Sequence, residues 1–432
     1  MTSITILPSP LKGTVLAQPS KSMAHRAIIC AALSKRQCKI DNVVLSDDIK
    51  ATIRAVRALG VEIEVEESIK FQSRKILNIS SGGEFSLRDS VIDCSESGST
   101  ARFIMPITRL IPDRVELTGH GRLTERPFSV YKELFTQKGI KYYDNDGKMP
   151  ITLEGKLIPG EYSLPGDISS QFISGLLFTL PLLDGPSRIT VTNKLESLSY
   201  ILLTLKVLKD YGITVNHDPE FKSFEIPGNQ TYQEVPYYVV EGDWSQAAFF
   251  CVMGVLSDSV TIKGLNLASI QGDRAILDIL KNMGAEPIVK DNSVTFSKTE
   301  LMAVDVDASD IPDLVPIISV AASLARGTTI IRNASRLRIK ESDRLKTTCS
   351  ELNAIGAKIS EKPDGLIIEG VPLLKGGSAN SSGDHRIVMA VASASAACSD
   401  IVNISGYNAV NKSYPDFWDD FIKIGGKVRE HE

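Results

Sequence analysis

The chain has 432 residues, of which 43% are hydrophobic and 23% charged, and its formal net charge is −4. That length exceeds a single ordinary core, so two domains are expected, and the composition is that of a globular protein. The slightly acidic balance excludes a basic nucleic-acid footprint and a polybasic membrane surface. The longest apolar runs, 176–183 and 247–256, fall far short of the roughly 18–20 residues that a membrane span needs. The N-terminal MTSITILPSPLKG lacks a basic region followed by an apolar run. A cytoplasmic location is expected, with no nucleic-acid or membrane partner.

The first predicted helix is SKSMAHRAIICAAL (20–33), apolar nearly all round and therefore buried. Lys21, Ser22 and Arg26 stand at its start, with Ser22 and Arg26 on one face. Cations normally avoid the positive end of a helix, so their presence there suits a bound oxyanion. Next comes an amphipathic segment, IKATIRAVRAL (49–59), with Ile49, Ile53, Val56 and Leu59 on one stripe. Gly60 ends it and an alternating segment follows, as expected for a helix stopped by glycine and leading into a strand. SESGSTARFIMPI (95–107) predicts the second buried helix. GRLTERPFSVY (121–131) puts Arg126 before a proline read as a helix start. SSQFISGLLFTL (169–180) opens on Ser169, Ser170 and Gln171; the serines read as caps, and the Gln171 amide offers both donor and acceptor.

The stretch 218–242 is rich in Pro, Gly and polar residues and marks the candidate domain boundary. Beyond it DWSQAAFFCVMGVL (243–256), SDIPDLVPIISVAASLA (309–325) and SGDHRIVMAVASASAA (382–397) predict three more buried helices. Asp310 and Asp313 head the second of these, where acids suit the helix dipole; Asp313 also suits a general base. TTIIRN (328–333) reads as a strand. After it, SRLRIKESDRLK (335–346) is dense in charge, and Glu341 and Arg344 have the spacing of a helical ion pair. His385 and Arg386 stand at the last buried helix, and NKSYPDFW (411–418) adds Lys412.

These elements recur. The glycines that end the amphipathic segments are Gly60, Gly139, Gly212, Gly284, Gly356 and Gly425, spaced 79, 73, 72, 72 and 69 residues apart. The six buried segments follow the same period. The chain therefore reads as six repeats, three before residue 225 and three after 241. Each has a buried helix, an outer helix and several strands. Parallel buried helices would turn their N-termini to one surface of each domain, and two such facing surfaces would make an anion-binding cleft. Lys21, Arg26, Arg126, Lys340, Arg344, Arg386 and Lys412 stand at repeat starts or adjoining turns, and arginine suits bidentate binding of phosphate or carboxylate. The six cysteines (30, 38, 94, 251, 349 and 398) show neither zinc spacing nor a disulfide framework and read as small hydrophobes.

On PSKSMAHR, ERP, SSQF, SLSY, IPDL, IKESDR, DHR and NKSYPDF the chain resembles the 5-enolpyruvylshikimate-3-phosphate synthase family of enolpyruvyl transferases, over essentially its whole length. The resemblance implies an inverted α/β fold of two pseudo-threefold domains, built from six βαβαββ-type repeats. One domain would span 20–240 and the other 1–19 with 241–432. It implies enolpyruvyl transfer from phosphoenolpyruvate to shikimate 3-phosphate in the shikimate pathway, by a monomer without cofactor or metal. Lys21 would touch both substrates. Ser22, Arg26, Ser169, Ser170, Gln171, Ser197, Tyr200, Asp313 and Lys340 would hold shikimate 3-phosphate. Gly98, Arg126, Gln171, Arg344, Arg386 and Lys412 would hold phosphoenolpyruvate. Asp313 would deprotonate the 5-hydroxyl and Glu341 would protonate C3, with Lys21 or His385 as further participants. Shikimate 3-phosphate would also draw the two domains closed.

Two positions depart from the family pattern. Glu96-Ser97-Gly98-Ser99 stands where Asn-x-Gly-Thr is usual, and Arg336 stands where an asparagine often contacts the phosphate. The family is the target of glyphosate; Gly98 favours sensitivity, whereas Glu96 and Ser99 leave it open. Three other functions compete with this one. The related transferase acting on UDP-N-acetylglucosamine usually carries a loop cysteine that is missing here. A non-catalytic binder of phosphorylated metabolites would not need the Asp313–Glu341 pair. A repeat scaffold would expose an apolar surface instead of cationic helix starts.

Overall fold

The computed structural model describes residues 2–82 and 85–431. Twelve helices form among them: α1 (Lys21–Leu33), α2 (Asp47–Ala58), α3 (Gly98–Ile107), α4 (Ser129–Gln137), α5 (Ser170–Thr179), α6 (Leu198–Asp210), α7 (Trp244–Leu256), α8 (Ile276–Asn282), α9 (Val315–Ser323), α10 (Arg344–Ala354), α11 (His385–Ala394) and α12 (Phe417–Lys423). Odd and even members differ in kind. Every residue of α7, α9 and α11 is buried, as their apolar sequences require. The even helices are two-faced: α2 buries Ile49, Ile53 and Val56 while Lys50, Arg54 and Arg57 face solvent.

Each even helix ends in the same way. The glycine after its last turn has a positive φ: Gly60 (94°), Gly139 (77°), Gly212 (74°), Gly284 (101°), Gly356 (104°) and Gly425 (104°). At Gly60 the N–H donates to the Arg57 carbonyl and the next N–H, of Val61, donates to Val56. This pair of hydrogen bonds closes the helix and turns the chain toward a strand, and it repeats at all six sites. The predicted helix–glycine–strand unit is therefore a real local structure.

Strands gather into six four-stranded sheets of one design. In the second repeat Val91–Asp93 runs parallel to Val115–Thr118, with α3 as the crossover; Lys148–Glu154 and Lys141–Asn145 then add antiparallel. Two sheets are completed from a distance. Tyr237–Val239 pairs parallel with Gln37–Val43, and Lys12–Leu16 pairs parallel with Ser259–Lys263. The N-terminal strand Ser3–Leu7 takes an interior place in the last sheet, between Val402–Ser405 and Lys427–His431. The architecture is α/β with six repeats, as the sequence predicts.

The chain divides into a continuous unit, Lys21–Val240, and a composite unit, Met1–Ser20 with Glu241–Glu432. Each has its own hydrophobic core. The stretch 218–242, read from composition as a boundary, is mostly not a linker. Its segments Ser223–Ile226 and Tyr237–Val239 are sheet strands of the continuous unit. The two units nonetheless divide within this stretch, between Val240 and Glu241. No helix among the described residues is long and apolar enough to cross a membrane.

Candidate active site

Predicted site residues of the continuous unit stand at the starts of its helices. Lys21 opens α1, and its Nζ lies 2.6 Å from Asp48 Oδ2 in the first turn of α2. The Thr100 hydroxyl of α3 donates to the Asp48 carbonyl (3.4 Å), which ties a third helix start to the pair. Arg26, one turn into α1, is buried. Its Nε donates to the Thr204 hydroxyl (2.8 Å), Nη1 to the Ser22 carbonyl (2.7 Å) and Nη2 to the Tyr200 carbonyl (2.9 Å). Burial pulls its pKa down to about 10. Ser22 and Arg26 thus share a face as predicted, although the contact uses the Ser22 backbone.

Gln171, the second residue of α5, reaches α3. Its Nε2 donates to Ser99 Oγ (2.8 Å), and its Oε1 accepts from Arg102 Nη1 (2.8 Å). Arg102 is held between the Phe128 and Phe172 rings, 5.3 and 5.1 Å from their centroids. Gly98 explains how this corner fits. A Cβ there would come 2.6 Å from Arg126 Nη1 and 2.9 Å from Arg102 Nη1, so the space that Gly98 opens is occupied by two guanidinium groups. Ser169 caps α5 by accepting from the Gln171 N–H (3.3 Å), and Ser170 is buried behind it. Ser197, with φ of 56°, precedes α6, to which Tyr200 belongs. The unusual Glu96 lies with its carboxylate against Gly121, in the short 3-10 helix Gly121–Glu125 that leads to Arg126. Helix α4 begins later than predicted, at Ser129, which leaves Pro127 outside it.

In the composite unit a second cluster joins the starts of α9, α10 and α11. Asp313 sits in the 3-10 turn Pro312–Leu314 before α9. Its Oδ1 accepts from Arg344 Nη1 (3.0 Å) and its Oδ2 from Arg386 Nη2 (2.9 Å), while Lys340 Nζ lies 3.8 Å away. Burial alone would raise the pKa of this carboxyl. Arg386, Lys340 and Arg344 outweigh burial and hold it well below the ordinary range. At Lys340 burial wins instead and lowers its ammonium to about 8 despite Asp313. Arg344 is itself gripped by carboxylates, donating from Nε to Asp384 Oδ2 (2.9 Å) and from Nη2 to Glu341 Oε2 (2.5 Å). Burial opposes its charge, and Asp384, Glu341 and Asp313 more than restore it. The predicted Glu341–Arg344 pair is thus present within a larger network.

Asp384 is fully buried and caps α11 through the Arg386 N–H (3.0 Å). His385 is buried beside it, with Nδ1 3.9 Å from Asp384 Oδ1. Lys412 is buried at the end of the 3-10 helix Tyr407–Lys412, which packs on α11. Arg336 donates to the Ser309 carbonyl. Sequence reading missed Asp48, Arg102 and Asp384, each of which fixes a predicted residue. Arg102 and Asp384 lie inside motifs already singled out; Asp48, on an outer helix, gave no comparable signal. Burial raises the thiol pKa of Cys30, Cys94 and Cys251, in keeping with inert small hydrophobes.

A sequence model of the EPSP synthase (3-phosphoshikimate 1-carboxyvinyltransferase) family matches residues 7–421. The 3-phosphoshikimate 1-carboxyvinyltransferase of Clostridium novyi (strain NT) is 48% identical, covering 100% of this chain and 99% of its own length. The Clostridium beijerinckii protein of that name is 47% identical, with the same coverage. Among solved structures, EPSP synthase from Acinetobacter baumannii superposes with a TM-score of 0.84 at 23% identity, covering 100% of both chains. The enolpyruvyl transferase NikO from Streptomyces tendae does so at 0.78 and 16% identity, covering 99% of this chain and 98% of its own. These two likenesses speak to the fold alone. With the family pattern matched from end to end and near-half identity to full-length relatives, the chain belongs to the EPSP synthase (3-phosphoshikimate 1-carboxyvinyltransferase) family.

Proposed function

We propose that the protein transfers the enolpyruvyl group of phosphoenolpyruvate to the 5-hydroxyl of shikimate 3-phosphate and releases phosphate, the carboxyvinyl transfer of the shikimate pathway. The end-to-end family match carries this reading. The hydroxyl loses its proton, C3 of phosphoenolpyruvate gains one, and the alkoxide adds to C2. The resulting tetrahedral ketal phosphate expels phosphate as the C3 proton leaves. Phosphate is already a leaving group, so the scheme calls for no cofactor.

From the continuous unit we assign Ser22, Arg26, Ser169, Ser170, Gln171, Ser197 and Tyr200 to shikimate 3-phosphate. Gly98, Arg126 and Gln171 go to phosphoenolpyruvate, and Lys21 to both substrates. From the composite unit Asp313 and Lys340 are assigned to shikimate 3-phosphate, and Arg344, Arg386 and Lys412 to phosphoenolpyruvate. Asp313 is the base and Glu341 the acid at C3, with Lys21 or His385 as participants. A carboxylate held as low as Asp313 is ionised throughout the physiological range but weakly basic. Substrate anions drawing on Arg386 and Lys340 would restore its basicity, which couples proton abstraction to binding. The arginines stabilise charge that develops on carboxylate and phosphate. We further propose a cytoplasmic monomer, for which light scattering during size-exclusion chromatography would give a single-chain mass.

The deciding assay is phosphate release with phosphoenolpyruvate plus shikimate 3-phosphate, run beside phosphoenolpyruvate plus UDP-N-acetylglucosamine. Release with the first pair alone is expected. Release with the second alone would overturn the acceptor, and silence with both would overturn the transferase reading.

A further inference from the structure

Two loops leave the second sheet side by side. The parallel strands Val91–Asp93 and Val115–Thr118 end level, with Asp93 opposite Thr118. The chains stay bonded beyond them: the Cys94 N–H donates to the Thr118 carbonyl (2.9 Å) and the His120 N–H to the Ser95 carbonyl (2.8 Å). The first loop carries Glu96 and enters α3 at Gly98, where Ser97 caps the helix by accepting from the Thr100 N–H (3.2 Å). The second turns through the 3-10 helix Gly121–Glu125 and ends on Arg126.

The loops meet again at two points. At one, Arg126 Nη1 fills the space beside Gly98. At the other, Gly121 has a φ of 52°, and a Cβ on it would come 2.7 Å from Glu96 Cδ and 3.1 Å from Glu96 Oε2. Only a residue without a side chain lets the carboxyl group lie there, and the left-handed backbone suits glycine as well. Between these points the turn is closed by its own bonds. The Leu123 N–H donates to the His120 carbonyl (3.2 Å), the Thr124 hydroxyl to the Gly121 carbonyl (2.8 Å) and the Arg126 N–H to the Leu123 carbonyl (3.2 Å). Leu123 is buried and anchors it. A shift at Gly121 is therefore passed along the turn to Arg126. Glu96, half-buried, stands where the family's asparagine is usual and has one more methylene of reach.

We propose that Glu96 is a positioning residue for Arg126: its carboxyl group packs into the space that Gly121 leaves, and so holds the turn that brings the Arg126 guanidinium to Gly98. This rests on the assignment of Arg126 to phosphoenolpyruvate. The role is one of fit against the Gly121 backbone rather than of charge.

The test measures phosphate release at varied phosphoenolpyruvate and varied shikimate 3-phosphate. Glu96→Ala empties the space and should raise KM for phosphoenolpyruvate on the order of tenfold, or about 1.4 kcal/mol of binding. The changes in kcat and in KM for shikimate 3-phosphate should be smaller. Glu96→Gln, of the same length and shape, should keep KM near the wild-type value. Gly121→Ala sets its methyl group against the Glu96 carboxyl and should raise the same KM. With Glu96→Ala also present that collision is gone, so KM of the double variant should fall short of the product of the two single effects. The strain of alanine at this φ is common to both backgrounds and cancels in the comparison. An unchanged KM in Glu96→Ala, an equal rise in Glu96→Gln, or single effects that simply multiply would each overturn the inference alone. If Gly121→Ala does not fold, the two substitutions at Glu96 still decide. A wild-type protein that releases no phosphate overturns the functional reading and this inference with it.

Discussion

Arg26 in the continuous unit and Arg344 in the composite unit are both buried guanidinium groups near a helix start, yet their company differs. Arg26 rests on the Thr204 hydroxyl and two backbone carbonyls, and an aromatic ring, Phe103, lies 5.2 Å from its guanidinium carbon. Arg344 is held by Asp313, Glu341 and Asp384. Neutral partners orient a cation without cancelling it, so the charge of Arg26 is not offset by a carboxylate among these partners. Carboxylate partners cancel the charge and create a set of acids and bases whose protonation can change. On the roles proposed above, Arg26 would serve anion binding, and the carboxylates around Arg344 would serve proton transfer.

The sharpest way to break this contrast is to remove the acid–base pair. Asp313→Asn and Glu341→Gln should each lower phosphate release by about 10²–10⁴-fold. Near-normal turnover in either variant would deny the composite unit its catalytic part. Asp384→Ala should come next in size. It leaves Arg344 and Glu341 buried in an unbalanced network, for an expected loss of about 3–5 kcal/mol in denaturant unfolding. In the continuous unit the corresponding change, Thr204→Val, removes a neutral acceptor and should cost about 1–3 kcal/mol. If both variants lost equal stability, the distinction between charged and neutral partners would fail.

Gly98→Ala should disturb the continuous unit's corner without touching the composite unit, because the added methyl meets Arg126 and Arg102. We expect KM for phosphoenolpyruvate to rise on the order of tenfold with a smaller change in kcat, since about 1.4 kcal/mol of misplaced contact suffices. The smallest effect concerns Lys340. Its folded-state pKa is lowered to about 8, so it is cationic below that pH and neutral above. Apparent affinity for shikimate 3-phosphate should therefore fall as pH climbs through about 8. Lys340→Arg, whose charge persists, should lose that limb in isothermal titration.

Much of the fold could be read in one dimension because its signals are local. A buried helix shows as an unbroken apolar run, as in AAFFCVMGVL. A helix end shows as one glycine, because the left-handed turn after the last helical residue suits glycine alone at little cost. The cations at helix starts were legible for the same reason, being placed where they are unfavourable without an anion. Where the partner is far away, reading failed: Tyr237–Val239 completes a sheet with Gln37–Val43, about two hundred residues earlier, and its polar, proline-containing surroundings read as a boundary.

By itself, then, the sequence determined the sixfold period, the alternation of buried and two-faced helices, the glycine stops, and the places where the proposed phosphate- and carboxylate-binding side chains stand. Tertiary structure alone decided their electrostatic partners. Lys21 meets Asp48 from 27 residues away, Arg102 meets Gln171 across 69 and Arg386 meets Asp313 across 73. Electrostatic energy depends on distance in space and on exclusion of water, and neither quantity exists along the chain until the helices have packed.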